Sequence, residues 1–316
     1  MKQNHRLLSL PWAVALIACL CCALWGSAAP GIKTSYRILQ IPAEDVYTQI
    51  LFAGLRFTMA GLLTVAGTSV LERRPARPQK GSWKMIILLS IFQTVLQYLF
   101  YYIGLAHTSG VKASIITGSQ VFWTILLACF LFRQERITAR KLLGCVLGFG
   151  GVILINWNQG GLTDGMKWNG EGFILLSALS YSVSSILVKD FSARENPLIL
   201  SGYQFLLGGL VMILCGAALG GRLQHFSPEG AAILIYLSLV STVAYALWAI
   251  LLKYNPVSRV SVYGFMNPIF GVLLSAVILG ERSSDLGIRA VIALILVSLG
   301  IFTVNRQGST RALEKT

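Results

Sequence analysis

Gln93, Gln97 and Tyr101 recur at four-residue spacing, which sets them on one face of a helix. The stretch that carries them, 85–106, contains no Asp, Glu, Lys or Arg. Amides turned toward lipid in such a stretch are costly, so this face must meet protein or water. The chemistry available is hydrogen bonding to a polar solute in a passage. The alternative is bonding between neighbouring helices. Two more stripes have the same character: Thr117, Gln120 and Thr124 share a face at helical spacing, as do Tyr263, Asn267 and Phe270. Pro268 removes a backbone donor and should free the carbonyl of Gly264 for a ligand or water, or simply kink the helix. Pro30-Gly31 resembles that case, and Trp25 either lines a cavity or packs.

Charged side chains inside apolar stretches are few. Arg56 lies about ten residues into one, roughly 15 Å along a helix, where a guanidinium is a functional candidate by default. It reads first as a structural anchor bonded to carbonyls and second as a partner for a substrate carboxylate. Lys33 and Lys189 sit near helix ends and should snorkel to the headgroups. Glu135 and Glu281 close long apolar stretches and read as structural, accepting from the free N–H groups that begin the next helix. All twelve acidic residues fall at span ends, loops or tails, and His5, His107 and His225 are peripheral. Facilitated diffusion or exchange is therefore expected, without obligatory proton coupling. Intramembrane catalysis would need a nucleophile with a base, paired acids or a metal site, and the spans offer none. The six cysteines lie in apolar spans with no histidine at ligand spacing, so they read as packing residues; no metal and no cofactor is expected.

The elements that must position these residues are membrane helices. The 316-residue chain is 55% hydrophobic and 12% charged, with a mean hydropathy of +0.70. Soluble domains carry about a quarter charged residues. Blocks 12–32, 85–106, 113–132, 196–221 and 260–280 lack charge entirely, and roughly 20 helical residues cross a hydrocarbon core about 30 Å thick. Ten spans are predicted, at 12–34, 46–71, 85–106, 110–132, 139–157, 172–188, 197–219, 230–252, 257–280 and 286–305. The net charge of +14 reflects the positive-inside rule and not nucleic-acid binding, since most Lys and Arg, including Arg73, Arg74, Arg77, Lys80 and Lys84, fall on the side that holds both termini. Both termini are thus predicted to be cytoplasmic. Lys2, Arg6 and Ser27-Ala28-Ala29 imitate a cleavable signal peptide, but the apolar run is long and reads as an uncleaved first helix.

The sequence also repeats. Gly54-Leu55-Arg56-Phe57 and Gly61-Leu62 match Gly202-Tyr203-Gln204-Phe205 and Gly209-Leu210 at a constant offset. Thr94-Val95 matches Thr242-Val243, Gln97 falls opposite Tyr245, and Phe100 opposite Trp248. Glu135-Arg136 matches Glu281-Arg282, and 151–156 matches 300–305. Five spans per copy force the second copy to enter the bilayer upside down, an arrangement that builds two gates around one site. Polar Gln93, Gln97 and Tyr101 then face aromatic Tyr245 and Trp248, which suits an amphipathic ligand.

Trp25-Gly26-Ser27 followed by Lys33, then Leu55-Arg56-Phe57, then Asn267-Pro268 followed by Gly280-Glu281-Arg282, resemble the EamA-like branch of the drug/metabolite transporter superfamily. The resemblance runs from about residue 12 to 306 as two repeats, 12–157 and 172–306, with a polar tail at 307–316. It implies an all-α integral membrane fold of ten helices in two inverted five-helix halves. It also implies a cavity lined by the first, third and fourth helices of each half, and export of amino acids and related metabolites. Arginine at position 56 is common in the family pattern, although Gln204 replaces it in the second half. The chain departs from that pattern at Gln120-Val121-Phe122, which lacks the proline of Asn267-Pro268, at Gln134 opposite Gly280, and at Lys112.

The resulting expectation is an amino-acid or zwitterion exporter of the cell membrane working by alternating access. Its substrate-binding residues would be Trp25, Gln93, Gln97, Tyr101, Thr117, Gln120, Tyr245, Trp248, Tyr263 and Asn267. The alternatives are a carrier of anionic phosphorylated or sugar-linked metabolites, an intramembrane enzyme, or a non-transporting membrane partner. A small metabolite and membrane lipid are the expected partners, with room for a homodimer.

Overall fold

A computed structural model describes residues 7–108, 110–156, 167–279 and 286–306. Gly280, Glu281, Arg282 and the tail 307–316 lie outside the described residues. The described residues are helical, with no strand among them. In chain order, α1 is Pro11–Ile38 and α2 is Val46–Glu72. Helix α3 runs through Trp83–Leu89, a π-helical stretch Ser90–Leu96, and Gln97–Leu105. Helix α4 comprises Gly110–Gly118 and Gln120–Phe130, broken at Ser119, and α5 is Ala139–Asn156. A π turn at Trp168–Gly172 leads into α6, Phe173–Phe191, followed by α7, Pro197–Ala218, and α8, Pro228–Tyr254. Helix α9 joins Val257–Ser261, a 3-10 turn Val262–Phe265 and Met266–Leu279, and α10 is Leu286–Asn305.

Local sequence explains the starts. Asp45 accepts from the Thr48 amide at 3.0 Å, Asn196 from Leu198 at 2.9 Å, and Ser227 from Gly230 at 3.1 Å, so each side chain satisfies a free amide at a helix N-terminus. Pro11, Pro197 and Pro228 stand at first helical positions, where a missing N–H costs nothing.

Eight of the helices are long and apolar enough to cross a membrane, and Val291–Asn305 is a shorter apolar helix. Their outer faces carry exposed Leu16, Val70, Leu131, Leu214, Val277 and Ile288, a surface that only lipid can solvate at low cost. The chain is a multi-pass membrane protein.

Glycines bring the helices into backbone contact. On α2, a Cβ at Gly54 would lie 2.9 Å from the Gly209 carbonyl oxygen, and one at Gly61 2.7 Å from that of Gly202 on α7. Residue numbers rise along α2 as they fall along α7, so the two run antiparallel. Helices α5 and α10 meet in the same way, with Gly144 against Gly300 and Gly151 against Ala293 and Val297. Such small-residue seams let van der Waals packing hold membrane helices together where lipid offers no hydrophobic drive. The contacts come in reciprocal pairs. Gly61 touches Leu206 as Gly209 touches Thr58, and Gly54 touches Ile213 as Gly202 touches Val65. At larger scale, α1 packs on α8 and α9 while α6 packs on α3 and α4.

Candidate functional site

Where α2 crosses α8, Ser238 donates to the Arg56 carbonyl at 3.1 Å and Thr242 to the Ala60 carbonyl at 3.1 Å. One turn-face of α8 therefore lies against α2 and presents Ser241 to the Arg56 guanidinium. Nε and Nη2 of Arg56 donate to Ser241 Oγ at 3.0 and 2.9 Å, with the guanidinium 5.0 Å from the Phe57 ring centroid. Arg56 is 3% exposed. This corrects the expected anchoring on carbonyls: the close crossing of α2 and α8 sets the Ser241 hydroxyl within reach of the guanidinium, and that oxygen is the acceptor used. Among the described residues no carboxylate lies within ion-pairing distance of Arg56. The matching residue on α7, Gln204, is fully buried; its Oε1 accepts from Thr94 at 2.7 Å and its Nε2 has no partner.

Aromatic rings fill the space between these groups. Phe57 and Phe205, which match in the repeat, stack at 5.2 Å with 14° between planes. Phe205 meets Tyr245 edge-on at 4.9 Å, and Tyr245 meets Trp25 at 5.1 Å. Trp25 in turn meets Trp248 at 5.0 Å. The Tyr98 and Tyr245 hydroxyls share a hydrogen bond of 2.8 Å, and Gln97 lies beside Tyr245. Four of the expected residues, Trp25, Gln97, Tyr245 and Trp248, thus gather in one cluster. Three of their polar atoms, Trp25 Nε1, Trp248 Nε1 and Gln97 Oε1, are buried without a protein partner.

Sequence reasoning missed Tyr98. The four-residue stripe Gln93, Gln97, Tyr101 assumes a regular α-helix, but the π stretch Ser90–Leu96, with its i→i+5 bonds, widens the turn and rotates the residues that follow, so that Tyr98 joins Gln97 beside Tyr245. Gln93 itself is buried in the π stretch, and Tyr101 packs edge-on against Tyr102 at 5.8 Å. No composition or spacing signal marks a π turn in this apolar run.

The remaining expected residues sit on the neighbouring α4 and α9. Thr117, Gln120 and Asn267 are half-buried, and Tyr263 is buried. The Gln120 carbonyl accepts from Ser182 at 2.9 Å and from Thr124 at 2.7 Å, and Cys22 donates to the Tyr263 carbonyl at 3.2 Å. Ahead of Pro268 the backbone of Val262–Phe265 forms a 3-10 turn, in which the Met266 amide points back toward the Tyr263 carbonyl.

Two carboxylates tie the helix ends. Glu135 accepts from the Ser258 amide at 3.0 Å, from the Ser258 hydroxyl, and from Lys141 Nζ at 2.6 Å. It caps α9 and not the following helix α5, as the sequence suggested, because the turn it occupies folds under the start of α9. Burial pushes its pKa up, but the Lys141 and Ser258 hydrogen bonds prevail and hold it below the usual carboxylate range. Lys189 donates to the Lys253 and Asn255 carbonyls at 3.1 and 2.9 Å, so it caps the end of α8 where snorkelling was expected. Glu171 accepts from Thr108 at 2.6 Å and pairs with Lys112 at 3.2 Å. Cavities of about 750 and 540 Å³ open beside residues 72–79 with 193–199, and at 129–137. Neither reaches the Trp25–Tyr245 cluster. Among the described residues no His, Cys, Asp or Glu cluster could hold a metal ion.

Comparison with known proteins places this geometry. The profile of the EamA-like transporter family matches residues 12–157 and 168–306. The chain belongs to the EamA-like transporter family. It is 28% identical over 302 residues to an uncharacterized transporter of Synechocystis, covering 90% of this chain and 87% of that protein. It is 25% identical over 287 residues to the uncharacterized inner membrane transporter YedA of Escherichia coli, covering 88% of each. A crystal structure superposes with a TM-score of 0.76 at 19% identity, covering 93% of this chain and 96% of the other, and shares the EamA-like chain's fold.

Proposed function

We propose that this EamA-like protein is a transporter, not an enzyme, that carries small polar metabolites, amino acids or related zwitterions, across the cell membrane by alternating access. Two inverted halves of five crossings each would enclose the Trp25–Tyr245 cluster, with both termini cytoplasmic. The observation that carries this reading is the reciprocity of contacts: Gly54 on Gly209 is returned by Gly61 on Gly202, between helices that run antiparallel. A two-fold axis in the membrane plane, passing between Phe57 and Phe205, generates such pairs. The cluster's chemistry supports a zwitterion: unpaired indole donors and an unpaired amide acceptor stand among aromatic faces. Residues Gln93, Tyr101, Thr117, Gln120, Tyr263 and Asn267 would complete the passage.

Counterflow in proteoliposomes tests the reading. Vesicles preloaded with an unlabelled amino-acid mixture should accumulate labelled amino acid without a pH gradient. Accumulation that is absent for every amino acid offered would overturn the substrate class, and strict dependence on the gradient would overturn exchange.

A further inference from the structure

Arg56 is a cation held deep in an apolar helix pair, and among the described residues it meets only neutral groups, the Ser241 hydroxyl and the Phe57 ring. Of its five N–H donors, two reach Ser241 Oγ, and no carboxylate of the described residues approaches it. A buried guanidinium met by one hydroxyl and one aromatic ring is a costly arrangement unless an anion joins it during the working cycle. It is 3% exposed and stands 5.0 Å from the Phe57 ring, which stacks on Phe205, so it borders the aromatic cluster and does not face lipid.

The face of α8 gives the geometry. Ser241, Tyr245 and Trp248 follow at helical spacing, and a rise of 1.5 Å per residue puts the Arg56 anchor about 6 Å from the Tyr245 level and about 10 Å from the Trp248 level. The cation stands at one end of this ladder, and the paired indoles of Trp25 and Trp248, at 5.0 Å, stand at the other. We infer that Arg56 binds the substrate's carboxylate, so that the substrate lies along α8 with its carboxylate at the Ser241 level and its side chain toward Trp25 and Trp248. This rests on the transport reading above and narrows it to carboxylate-bearing substrates. The planar fork matches a carboxylate's two oxygens, and one cation balances one negative charge; a phosphate dianion would leave charge uncompensated.

The test compares three forms of one apolar amino acid, the free acid, its amide and the corresponding amine, in proteoliposomes of the full chain. Wild-type protein should prefer the acid over the amide by roughly 30-fold or more, the loss typical of breaking one partner of a buried charged hydrogen bond. Arg56→Gln should transport acid and amide equally, and Arg56→Lys should restore part of the preference. Equal transport of acid and amide by wild type overturns the inference whether or not the variants fold. A well-folded Arg56→Gln that keeps the preference overturns it too. Absence of transport for all three forms by wild type would instead count against the transport reading.

Discussion

Replacing Gly61 by alanine should destabilise the protein, and the size of the effect follows from the α2–α7 seam. The added Cβ would stand 2.6 Å from the Leu206 amide nitrogen and 2.7 Å from the Gly202 carbonyl oxygen. Both atoms belong to backbone, which cannot rotate away. The contact lies about 0.8 Å inside ordinary van der Waals distance, so the two helices must separate along the seam. Overpacking of this kind costs about 1–3 kcal/mol. The proposed two-fold relation adds a second demand, because Gly209 approaches Thr58 as Gly61 approaches Leu206. Gly209→Ala should therefore cost about as much as Gly61→Ala. Gly67 on the same helix meets nothing within 4 Å, and alanine there should be neutral or slightly stabilising, since glycine costs about 1 kcal/mol in a helix interior. Melting temperatures of the three variants in one detergent give the comparison. If Gly61→Ala melts with Gly67→Ala, the close approach of α2 and α7 is wrong; if Gly61→Ala and Gly209→Ala differ widely, the reciprocity is wrong.

Two further outcomes are expected. Tyr245→Phe removes the 2.8 Å bond to Tyr98 and leaves that hydroxyl without its partner, so it should lower stability by about 0.5–1.5 kcal/mol, read as a shift in melting temperature. Glu135 has a folded-state pKa below its unfolded value, so its contribution is fully present above the unfolded pKa, near 4.3, and fades as pH falls through the folded pKa. Glu135→Gln should lower the melting temperature at neutral pH and bring it toward the wild-type value in acid; a constant gap from pH 7 down to 3 would refute the ion-paired latch.

Much of the fold was legible because the solvent is apolar. Charge-free blocks such as 85–106 and 196–221 announce helices directly, and the spaced pairs Gly54/Gly61 and Gly202/Gly209 mark the seams as well as the repeat. The site was legible in part. Of the expected residues, Trp25, Gln97, Tyr245 and Trp248 stand together, although the repeat by itself paired only Gln97 with Tyr245. Tyr98 was hidden because a π stretch shifts the face of α3, and nothing in Ser90–Leu96 distinguishes it from an ordinary turn. The partners of Arg56, Glu135 and Lys189 were hidden for another reason. Each bonds a residue at least 64 positions away, so its role depends on how helices cross and not on its own neighbourhood.

If the two halves are inverted copies, their equivalent loops lie on opposite membrane faces. Arg77 and His225 hold matching places after α2 and α7. In a chain whose native cysteines are replaced, Arg77→Cys and His225→Cys can each be labelled with a membrane-impermeant maleimide from outside intact cells, and again after permeabilisation. His225→Cys should label in intact cells and Arg77→Cys only after permeabilisation. Labelling of both positions from the same side would contradict the inversion.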